Sequence, residues 1–394
     1  MNLKECFENN GLMLPNYENI SIIDLIRTIY KYCGYSYKLE SVNKEIEKYI
    51  KNKKHILLIL CDGMGSNLIN SLSDESILKQ NKVCDLLTVC PTTTGCVLNS
   101  IITSEYPAIH GMIGWYNYYR NHNINYYTLL FKDRETNKSL KELGIDEKDI
   151  YVSNSLMNKL KRKTTALFPK DIVDSDFSKF TLNDNRIPYD TIPAAFEKIT
   201  NNIQSNLNKE TFTYMYLSDI DDESHYNGVY SIKTKTVIKK IESELIKLKE
   251  QNINDLEIII TADHGQIDVI GEIDMDFFKY NKYFYAKPGI DFGTATYYVK
   301  NEKRDEFLKE FKKDYHDKMF IFETEEFIKN NIFGEDIVSK YMKSNLGEYI
   351  SFCKKGFYFV NTEFDKDKYI GKIKGSHSGF SKEELMIPLI VINC

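Results

Sequence analysis

The chain has 394 residues, with 52 basic and 57 acidic side chains and a formal net charge of −5 at pH 7. A chain of this length can bury a sizeable core, as one large domain or as two. The near balance of charge gives no electrostatic reason to expect a nucleic-acid polymer or an anionic membrane as a partner.

The chain opens with MNLKECFENNGLML, which has neither a basic start nor an apolar run of signal-peptide length. We therefore expect no cleaved export signal. Residues 1–53 are predicted to form an N-terminal helical segment. The longest apolar runs, Ile56 to Cys61 and Leu385 to Ile392, are far shorter than the roughly 20 residues that span a bilayer, so a soluble protein is expected.

Four short apolar runs indicate buried parallel strands, because they are rich in β-branched or aromatic residues and bounded by polar ones. Between them lie amphipathic stretches such as Ile232 to Lys249, where apolar residues recur three and four positions apart. This alternation predicts an α/β fold with a mostly parallel central sheet sandwiched by helices. The predicted strands are Ile56 to Cys61, Phe212 to Leu217, Leu256 to Thr261 and Met386 to Ile392.

The stretch 277–374 differs in texture from the rest of the chain. It carries its own strand, helix and strand pattern, at Ala295 to Val299, Arg304 to Tyr315 and Met319 to Phe322. We interpret it as an inserted small α+β subdomain, which leaves 54–276 and 375–394 as the core domain. No internal repeat or low-complexity linker is visible, and no pattern indicates an oligomeric state.

Eight cysteines are spread along the chain without a CxxC pair or a regular spacing. In a chain of this size such usage is typical of reduced thiols rather than of a disulfide framework. The sequence therefore predicts a cytoplasmic protein.

Polar side chains that can bind a metal stand at the ends of the predicted strands. Ligands of an open parallel sheet bind beyond the carboxyl ends of its strands, so these residues are expected to meet. Each short motif alone is more typical of a turn or a loop. Together they include three of the seven histidines, and Zn²⁺ accepts both carboxylate and imidazole ligands. The residues, which divide into two sets of three, are Asp62, Asp221, His225, Asp263, His264 and His377.

Three consecutive threonines follow Pro91 in the stretch CPTTTGCVLNSIITSEYPAIHG. The segment from Thr94 to Ser104 is predicted to form the first turns of a helix, whose free N–H groups and dipole favour an anion such as phosphate. A threonine hydroxyl is a poor nucleophile at neutral pH unless a metal stabilises its alkoxide. The alternative is that these threonines only cap the helix.

The order of these motifs resembles the alkaline phosphatase superfamily. Asp62 is followed by Pro-Thr-Thr-Thr, Asp-x-x-x-His, Asp-His-Gly and a late Gly-x-His, which is most similar to the type I phosphodiesterase/nucleotide pyrophosphatase branch. The likeness covers roughly residues 55–394. It implies an alkaline phosphatase-like fold in which residues 54–276 and 375–394 form a metallohydrolase core.

The resemblance also implies two divalent metal ions. Zn²⁺ is favoured by the mixture of histidines and carboxylates, and Mn²⁺ or Fe is also compatible with it. Thr94 takes the position of the branch's nucleophile. One metal would be held by Asp221, His225 and His377, and the other by Asp62, Asp263 and His264 together with Thr94.

The activity implied is cleavage of phosphodiester or pyrophosphate bonds in a small phosphorylated substrate such as a nucleotide, through a covalent phosphothreonine. A phosphomonoesterase, a phosphonate hydrolase or a phosphotransferase on the same metal core is the alternative. A sulfatase is disfavoured because CPTTT lacks the pattern required for formylglycine. A metal-stabilised binding or scaffold protein is the non-enzyme alternative.

The sequence departs from the branch at positions that would contact substrate. Gly95 stands where an aromatic residue that stacks on the nucleotide base is typical. Trp115 falls where an oxyanion-contacting Asn would lie, and Asn117 is a nearby substitute. Tyr216 matches a tyrosine of the nucleotide pocket, although a strand position is equally compatible with core packing.

The aromatic-rich stretch from Gly114 to Tyr127 fits either a pocket wall or a half-buried strand. Arg120 within it is a candidate for contacting a phosphate oxygen. Asp219 and Asp222, close to the Asp-x-x-x-His motif, are interpreted as supporting or solvated carboxylates rather than ligands.

Overall fold

A computed structural model describes residues 2–37, 43–151, 153–182, 184–335, 337–360 and 371–393. The predicted segments 1–53 and 277–374 thus lie partly outside the described residues. Within 2–37 the structure has two helices, Leu3–Asn9 and Ile22–Tyr32. The division of the chain at residues 53, 276 and 374 stays a prediction.

The middle strands of the central sheet are apolar runs whose side chains are almost all buried, whereas its two edge strands are partly exposed. Within the described residues it has seven strands, and six of them run in the same direction. The α/β prediction and its mostly parallel sheet are confirmed. In spatial order the strands are Lys82–Leu87, Met386–Asn393, Leu256–Thr261, His55–Cys61, Thr211–Leu217, Lys163–Pro169 and Arg186–Tyr189.

The register of the three middle strands aligns their carboxyl ends. Cys61 lies opposite Leu217 on one side of its strand, and Leu60 lies opposite Thr261 on the other. Since all three strands run in the same direction and end at the same level, the segments that follow them leave the sheet at one edge. This edge is where the strand-end acids are brought together.

The last strand, Met386–Asn393, runs antiparallel to both of its neighbours, so the prediction of a parallel strand is wrong here. Ile390 lies opposite Ile260, which puts the start of this strand beyond the carboxyl end of Leu256–Thr261. The segment that carries His377 therefore approaches the same edge as the strand-end acids. An apolar run indicates burial but carries no signal for strand direction.

Helices flank the central sheet and pack apolar stripes against it. In Ile232–Glu250 the buried apolar residues recur at helical spacing, as the sequence predicts, and they join the core of the sheet. The helices of the described residues are Leu3–Asn9, Ile22–Tyr32, Ser66–Asn70, Ile77–Gln80, Thr94–Thr103, Pro107–His110, Glu147–Ile150, Asp176–Thr181, Ile192–Gln204, Asp219–Asn227, Ile232–Glu250, Phe277–Tyr280, Arg304–Tyr315, Thr324–Lys329, Lys340–Asn345 and Lys382–Leu385.

A second sheet is antiparallel and draws strands from two distant parts of the chain, 116–133 and 284–353. The aromatic stretch after Gly114 forms a hairpin in it, so the strand interpretation of that stretch is confirmed. In spatial order its strands are Met319–Glu323, Tyr349–Cys353, Thr294–Val299, Phe284–Ile290, Tyr116–Tyr119, Ile124–Tyr127 and Lys132–Asp133.

Two short ladders link the sheets' loops. Ile267–Asp268 pairs antiparallel with Gly375–Ser376, and Gly271–Asp274 pairs parallel with Phe357–Val360. One strand of the first ladder follows the Asp-His-Gly motif, and the other directly precedes His377. The ladder therefore holds these two segments next to each other. Among the described residues no helix is both long and apolar enough to cross a membrane.

Candidate metal centre and active site

Six side chains at the carboxyl edge of the central sheet form two groups of potential metal ligands. In each group the ligand atoms lie within 4.8 Å of one another. These are the two sets of three that the sequence predicts. One group is Asp62, Asp263 and His264, and the other is Asp221, His225 and His377.

The first group is held by backbone donors that leave ligand atoms unpaired. Asp263 Oδ1 accepts hydrogen bonds from the backbone N–H of Gly63 at 3.1 Å and of His264 at 2.8 Å. Its other oxygen, Oδ2, and Asp62 Oδ1 are buried and have no hydrogen-bond partner in the described part of the chain. His264 Nε2 lies 3.3 Å from Asp263 Oδ2 and 3.5 Å from Asp62 Oδ1. Such orphaned buried acceptors are costly unless a cation satisfies them.

The second group is assembled by a helix and a loop. Asp221 and His225 are one helical turn apart, and His225 Nε2 lies 3.2 Å from Asp221 Oδ2. His225 Nδ1 donates to the carbonyl of Gly375 at 2.8 Å, and His377 Nδ1 donates to that of Thr92 at 2.9 Å. These bonds fix the rings so that Nε2 is the nitrogen available to a metal.

The electrostatics of the two groups differ. Burial raises the pKa of Asp62 well above its ordinary value, and the carboxylates of Asp263 and Asp221 raise it further. Burial would also raise the pKa of Asp221, but the charge and hydrogen bond of His225, together with the charges of His377 and His264, outweigh burial, so the pKa of Asp221 lies below its usual range. Burial lowers and Asp221 raises the pKa of His225, with a net value of about 9.

The three carboxylates lack a permanent counter-charge. Among the described residues, the ion-pair partners of Asp62, Asp221 and Asp263 are histidines alone. Burial holds the pKa of one of these, His377, well below its ordinary value, so that ring is neutral. Buried carboxylates without a compensating cation are unfavourable, and divalent ions would supply the missing charge.

The hydroxyl of Thr94 lies against the first group. Thr94 is the first residue of the helix Thr94–Thr103. Its Oγ1 is 3.4 Å from Asp62 Oδ2 and 3.3 Å from His264 Nε2. A phosphoryl group next to this oxygen would meet the free N–H groups of the helix start.

The other two threonines have separate partners, and neither caps the helix through its side chain. Thr92 Oγ1 donates to the carbonyl of Gly379 at 3.1 Å. Thr93 is the residue at the cap, but its hydroxyl turns away and donates to Asp291 Oδ2 at 2.5 Å. A capping role does not account for the three hydroxyls.

Two cavities share Thr94, Trp115, Asp221 and Asp222 in their walls. The smaller has a volume of about 250 Å³ and the larger about 650 Å³. The larger combines an apolar wall with charged residues at its rim. Its further lining includes Leu98, Leu129, Lys132, Phe168, Asp171, Ile172, Asp174, Phe177, Lys179 and Tyr216.

Two of the predicted substrate-binding residues line these cavities. Trp115 borders both, and Tyr216 borders the larger one. The Tyr216 hydroxyl donates a hydrogen bond to Asp62 Oδ2, while its ring stacks on Phe168 with centroids 5.2 Å apart. Tyr216 therefore connects the pocket wall to a potential metal ligand.

The other three predicted substrate-binding residues, Gly95, Asn117 and Arg120, do not line these two cavities. Gly95 is buried, and a Cβ added there would lie 2.9 Å from the carbonyl oxygen of Gly114, so the site has no room for a side chain. Asn117 is fully buried and donates to that same carbonyl at 3.0 Å, which holds the hairpin. Arg120 lies over the Tyr285 ring and lines a different cavity from Thr94, which removes the basis for a phosphate contact.

Two polar residues near the site were missed by sequence reasoning. Asp291 lines the smaller cavity and is only 8% exposed, yet it follows a strand of the second sheet and belongs to no motif. Gln266 donates from Nε2 to Asp221 Oδ1. Its place two residues after His264 is the one signal that pointed to it.

One family model and several solved structures are similar to this chain. The model of the family described as type I phosphodiesterase/nucleotide pyrophosphatase matches residues 56–379. No curated protein sequence matches significantly.

Solved structures of low sequence identity resemble the chain over most of its length. Murine ectonucleotide pyrophosphatase/phosphodiesterase 5 superposes with a TM-score of 0.65 at 15% identity, covering 85% of this chain and 87% of that one. An inactive variant of the murine protein has been solved with AMP. Phosphonoacetate hydrolase from Sinorhizobium meliloti gives 0.59 at 14% identity, covering 85% and 89%. At such identities the likeness shows a common fold.

Proposed function

This chain belongs to the type I phosphodiesterase/nucleotide pyrophosphatase family, and from that premise we propose that it hydrolyses phosphodiester or pyrophosphate bonds of a small substrate, with Thr94 as nucleophile. The observation that carries the proposal is the position of the Thr94 hydroxyl, within 3.4 Å of Asp62 and His264 in a group of potential metal ligands. The second such group borders the same cavity as Thr94.

The residues fit two divalent ions. Unpaired buried oxygens on Asp62 and Asp263, together with imidazole Nε2 atoms oriented by backbone carbonyls, form the donor set that Zn²⁺ prefers. When bound, the two ions would neutralise the phosphate and lower the pKa of the nucleophile. Mn²⁺ or Fe is compatible with the same donors.

The chain's own groups orient the reaction. Asp62 Oδ2 accepts the hydrogen bond of the Thr94 hydroxyl and so directs Oγ1. Attack of Oγ1 on phosphorus forms the phosphothreonine bond while the bond to the leaving oxygen breaks. Water then attacks the same phosphorus, which releases the product and restores the threonine. The helix start at Thr94 offers N–H donors to the phosphoryl oxygens.

The charges near Thr94 favour a diester over a monoester. Among the described residues, the wall of the smaller cavity contains three acidic residues, Asp221, Asp222 and Asp291, and no lysine or arginine. A diester carries one negative charge, whereas a monoester at neutral pH carries close to two, which this wall would repel more strongly. Phosphonoacetate carries a carboxylate in addition to its phosphonate group, so the acidic wall would repel it as well.

The proposal is tested by side-by-side rates of the zinc-loaded protein on a bis-aryl phosphate and a mono-aryl phosphate. We expect the diester to be hydrolysed faster, and the Thr94→Ala variant to be inactive on both. A faster monoester, or turnover of phosphonoacetate alone, would favour the phosphomonoesterase or phosphonate hydrolase alternative.

We further propose a cytoplasmic location. Support comes from the cysteines, since the seven in the described residues are all unpaired and six of them are buried. Unpaired buried thiols are typical of proteins kept in a reducing compartment. The partner of the protein would then be a small phosphorylated metabolite rather than a nucleic-acid polymer.

A further inference from the structure

We propose that Gln266 is a positioning residue for the second group of potential metal ligands. Its side-chain amide occupies one oxygen of Asp221, so that Asp221 binds a metal through its other oxygen alone. The inference rests on the proposed function, because it concerns one of the two metals proposed there. It is carried by the contacts of the Gln266 side chain, which is 0% exposed.

The Gln266 amide binds one of the two carboxylate oxygens of Asp221. Gln266 Nε2 donates a hydrogen bond to Asp221 Oδ1. A Cβ added to Gly63 would lie 3.1 Å from that same oxygen, so the backbone at Gly63 encloses Oδ1 as well. The other oxygen, Oδ2, is 3.2 Å from His225 Nε2, whereas Oδ1 is 3.9 Å from His377 Nε2. Oδ2 is therefore the oxygen that faces a metal bound with His225.

The amide lies between two backbone segments that lead to other ligands. Gly63 directly follows Asp62, and Gly375 lies two residues before His377. A Cβ at Gly63 would be 3.0 Å from Gln266 Nε2, and one at Gly375 would be 2.8 Å from Gln266 Oε1. Because both segments pack closely on the amide, they hold its Nε2 against the carboxylate.

The backbone of Gln266 is anchored as well. Its carbonyl accepts a hydrogen bond from Asn67 Nδ2 at 3.0 Å. The next residue, Ile267, pairs with Ser376 in the short ladder beside His377. The side chain therefore extends toward Asp221 from a fixed point.

Packing alone does not account for an amide at this position. Among the described residues, Gln266 Oε1 is buried without a hydrogen-bond partner. Such an unpaired buried oxygen is unfavourable, and an apolar side chain of similar length would fill the space without it. The amide is explained by the N–H that it donates to Asp221.

A single-oxygen Asp221 has a chemical consequence. Asp221, His225 and His377 then offer three ligand atoms in all, one from each residue. Catalytic zinc sites hold the metal with three protein ligands and keep a fourth position for water or substrate. A carboxylate that bound through both oxygens would occupy that position. Gln266 thus keeps the second group open to water or to a phosphoryl oxygen.

The test replaces the amide with a side chain of similar length. Gln266→Met removes the donor. Gln80→Met is the matched control, since the exposed Gln80 amide donates to the backbone carbonyl of Asp74 on the surface. Crystals of each zinc-loaded protein are equilibrated at decreasing, buffered Zn²⁺ concentrations, and anomalous diffraction at the zinc edge measures the occupancy of each ligand group.

In Gln266→Met we expect the half-saturating Zn²⁺ concentration of the Asp221 group to rise by about 10- to 100-fold. That of the Asp62 group should stay as in the native protein, and Gln80→Met should change neither. An unchanged Asp221 group would overturn the proposal. An equal rise in both groups would overturn it too, because general loosening of the loops would act on both.

The zinc-loaded native crystals give a second test that holds even if Gln266→Met does not fold. We expect Asp221 Oδ2 at about 2.0–2.2 Å from the metal, with Oδ1 still accepting from Gln266 Nε2. A metal bound through Oδ1, or through both oxygens, would overturn the proposal.

Hydrolysis of bis(para-nitrophenyl) phosphate separates this inference from the proposed function. If the native protein hydrolyses the diester and Gln266→Met binds Zn²⁺ as the native protein does, the positioning role is refuted while the phosphodiesterase stands. If both groups fill with Zn²⁺ and no ester is hydrolysed, the proposed function fails, and the occupancies still decide the role of Gln266. A native protein that binds no metal at these groups would refute both.

Discussion

The imidazole rings of His264 and His377 stack with their centroids 3.9 Å apart and their planes inclined by 20°. Each ring belongs to a different group of potential metal ligands, so the two groups are in contact through these rings. Two ions bound there would be close neighbours, as in enzymes that clamp a phosphoryl group between paired metals. The stack joins the loop that follows the parallel strand Leu256–Thr261 to the loop that precedes the antiparallel strand Met386–Asn393.

Replacing Thr94 with alanine should abolish turnover of a phosphodiester, because Oγ1 is the atom proposed to attack phosphorus. Thr94→Ser keeps a hydroxyl in the same place and should retain measurable activity. Metal content, determined by mass spectrometry, should stay the same in both variants. Turnover by Thr94→Ala would mean that another group is the nucleophile.

Removing the metals should remove activity reversibly. Treatment with a chelator is expected to abolish hydrolysis, and added Zn²⁺ is expected to restore it. Asp263→Asn should lower the rate by at least about 100-fold, since it weakens a potential ligand oxygen that has no hydrogen-bond partner among the residues the structure describes. Asp74→Asn, a surface residue paired with Lys79, is the control and should behave like the native chain. Full activity after chelation contradicts a metal-dependent mechanism.

Tyr216→Phe should weaken metal binding without unfolding the protein. Its hydroxyl donates to Asp62, and loss of a group that orients a ligand typically costs about 10- to 100-fold in metal affinity. The measurement is the Zn²⁺ concentration that gives half-maximal activity. Tyr214→Phe is the matched control on the same strand, because the Tyr214 hydroxyl has no hydrogen-bond partner within the described residues. Equal shifts in both variants would contradict this role.

His110 should make the folded state less stable in acid. Burial lowers its pKa from 6.5 to about 3, and Nδ1 accepts from the backbone N–H of Met112 at 3.0 Å. The unfolded chain therefore binds a proton that the folded one excludes. The contribution of His110 is complete above pH 6.5 and is lost by about 1.4 kcal/mol per pH unit as the pH falls toward 3.

The measurement is the free energy of unfolding in urea at about pH 7.5 and about pH 5.5. His110→Gln should lose less stability between these two conditions than the native chain does. The exposed His122 offers a control, and His122→Gln should follow the native pH dependence. The same pH dependence in all three proteins would argue against a neutral buried His110.

Much of the site is predictable from sequence because strand-end residues of a parallel sheet meet at one edge. That rule brings Asp62, Asp221 and Asp263 together without any knowledge of the loops. The direction of the last strand was not predictable, since an apolar run has the same appearance in either direction. Asp291 was not predictable either, because it comes from a second sheet whose pairing depends on contacts between distant segments.

The local sequence also does not reveal which groups a residue will contact when tertiary packing decides it. Arg120 follows the aromatic strand Tyr116–Tyr119, and its guanidinium lies over the Tyr285 ring rather than beside Thr94. Gly95 is a glycine because the helix start packs on the carbonyl of Gly114, and no motif reports such a close approach. Both outcomes depend on tertiary contacts.

Anomalous X-ray diffraction from crystals of the zinc-loaded protein tests the central claim most directly. Data at the zinc edge should give two peaks per chain, one among Asp62, Asp263 and His264 and one among Asp221, His225 and His377, with Thr94 Oγ1 beside the first. A single peak, or peaks away from these side chains, would contradict the account.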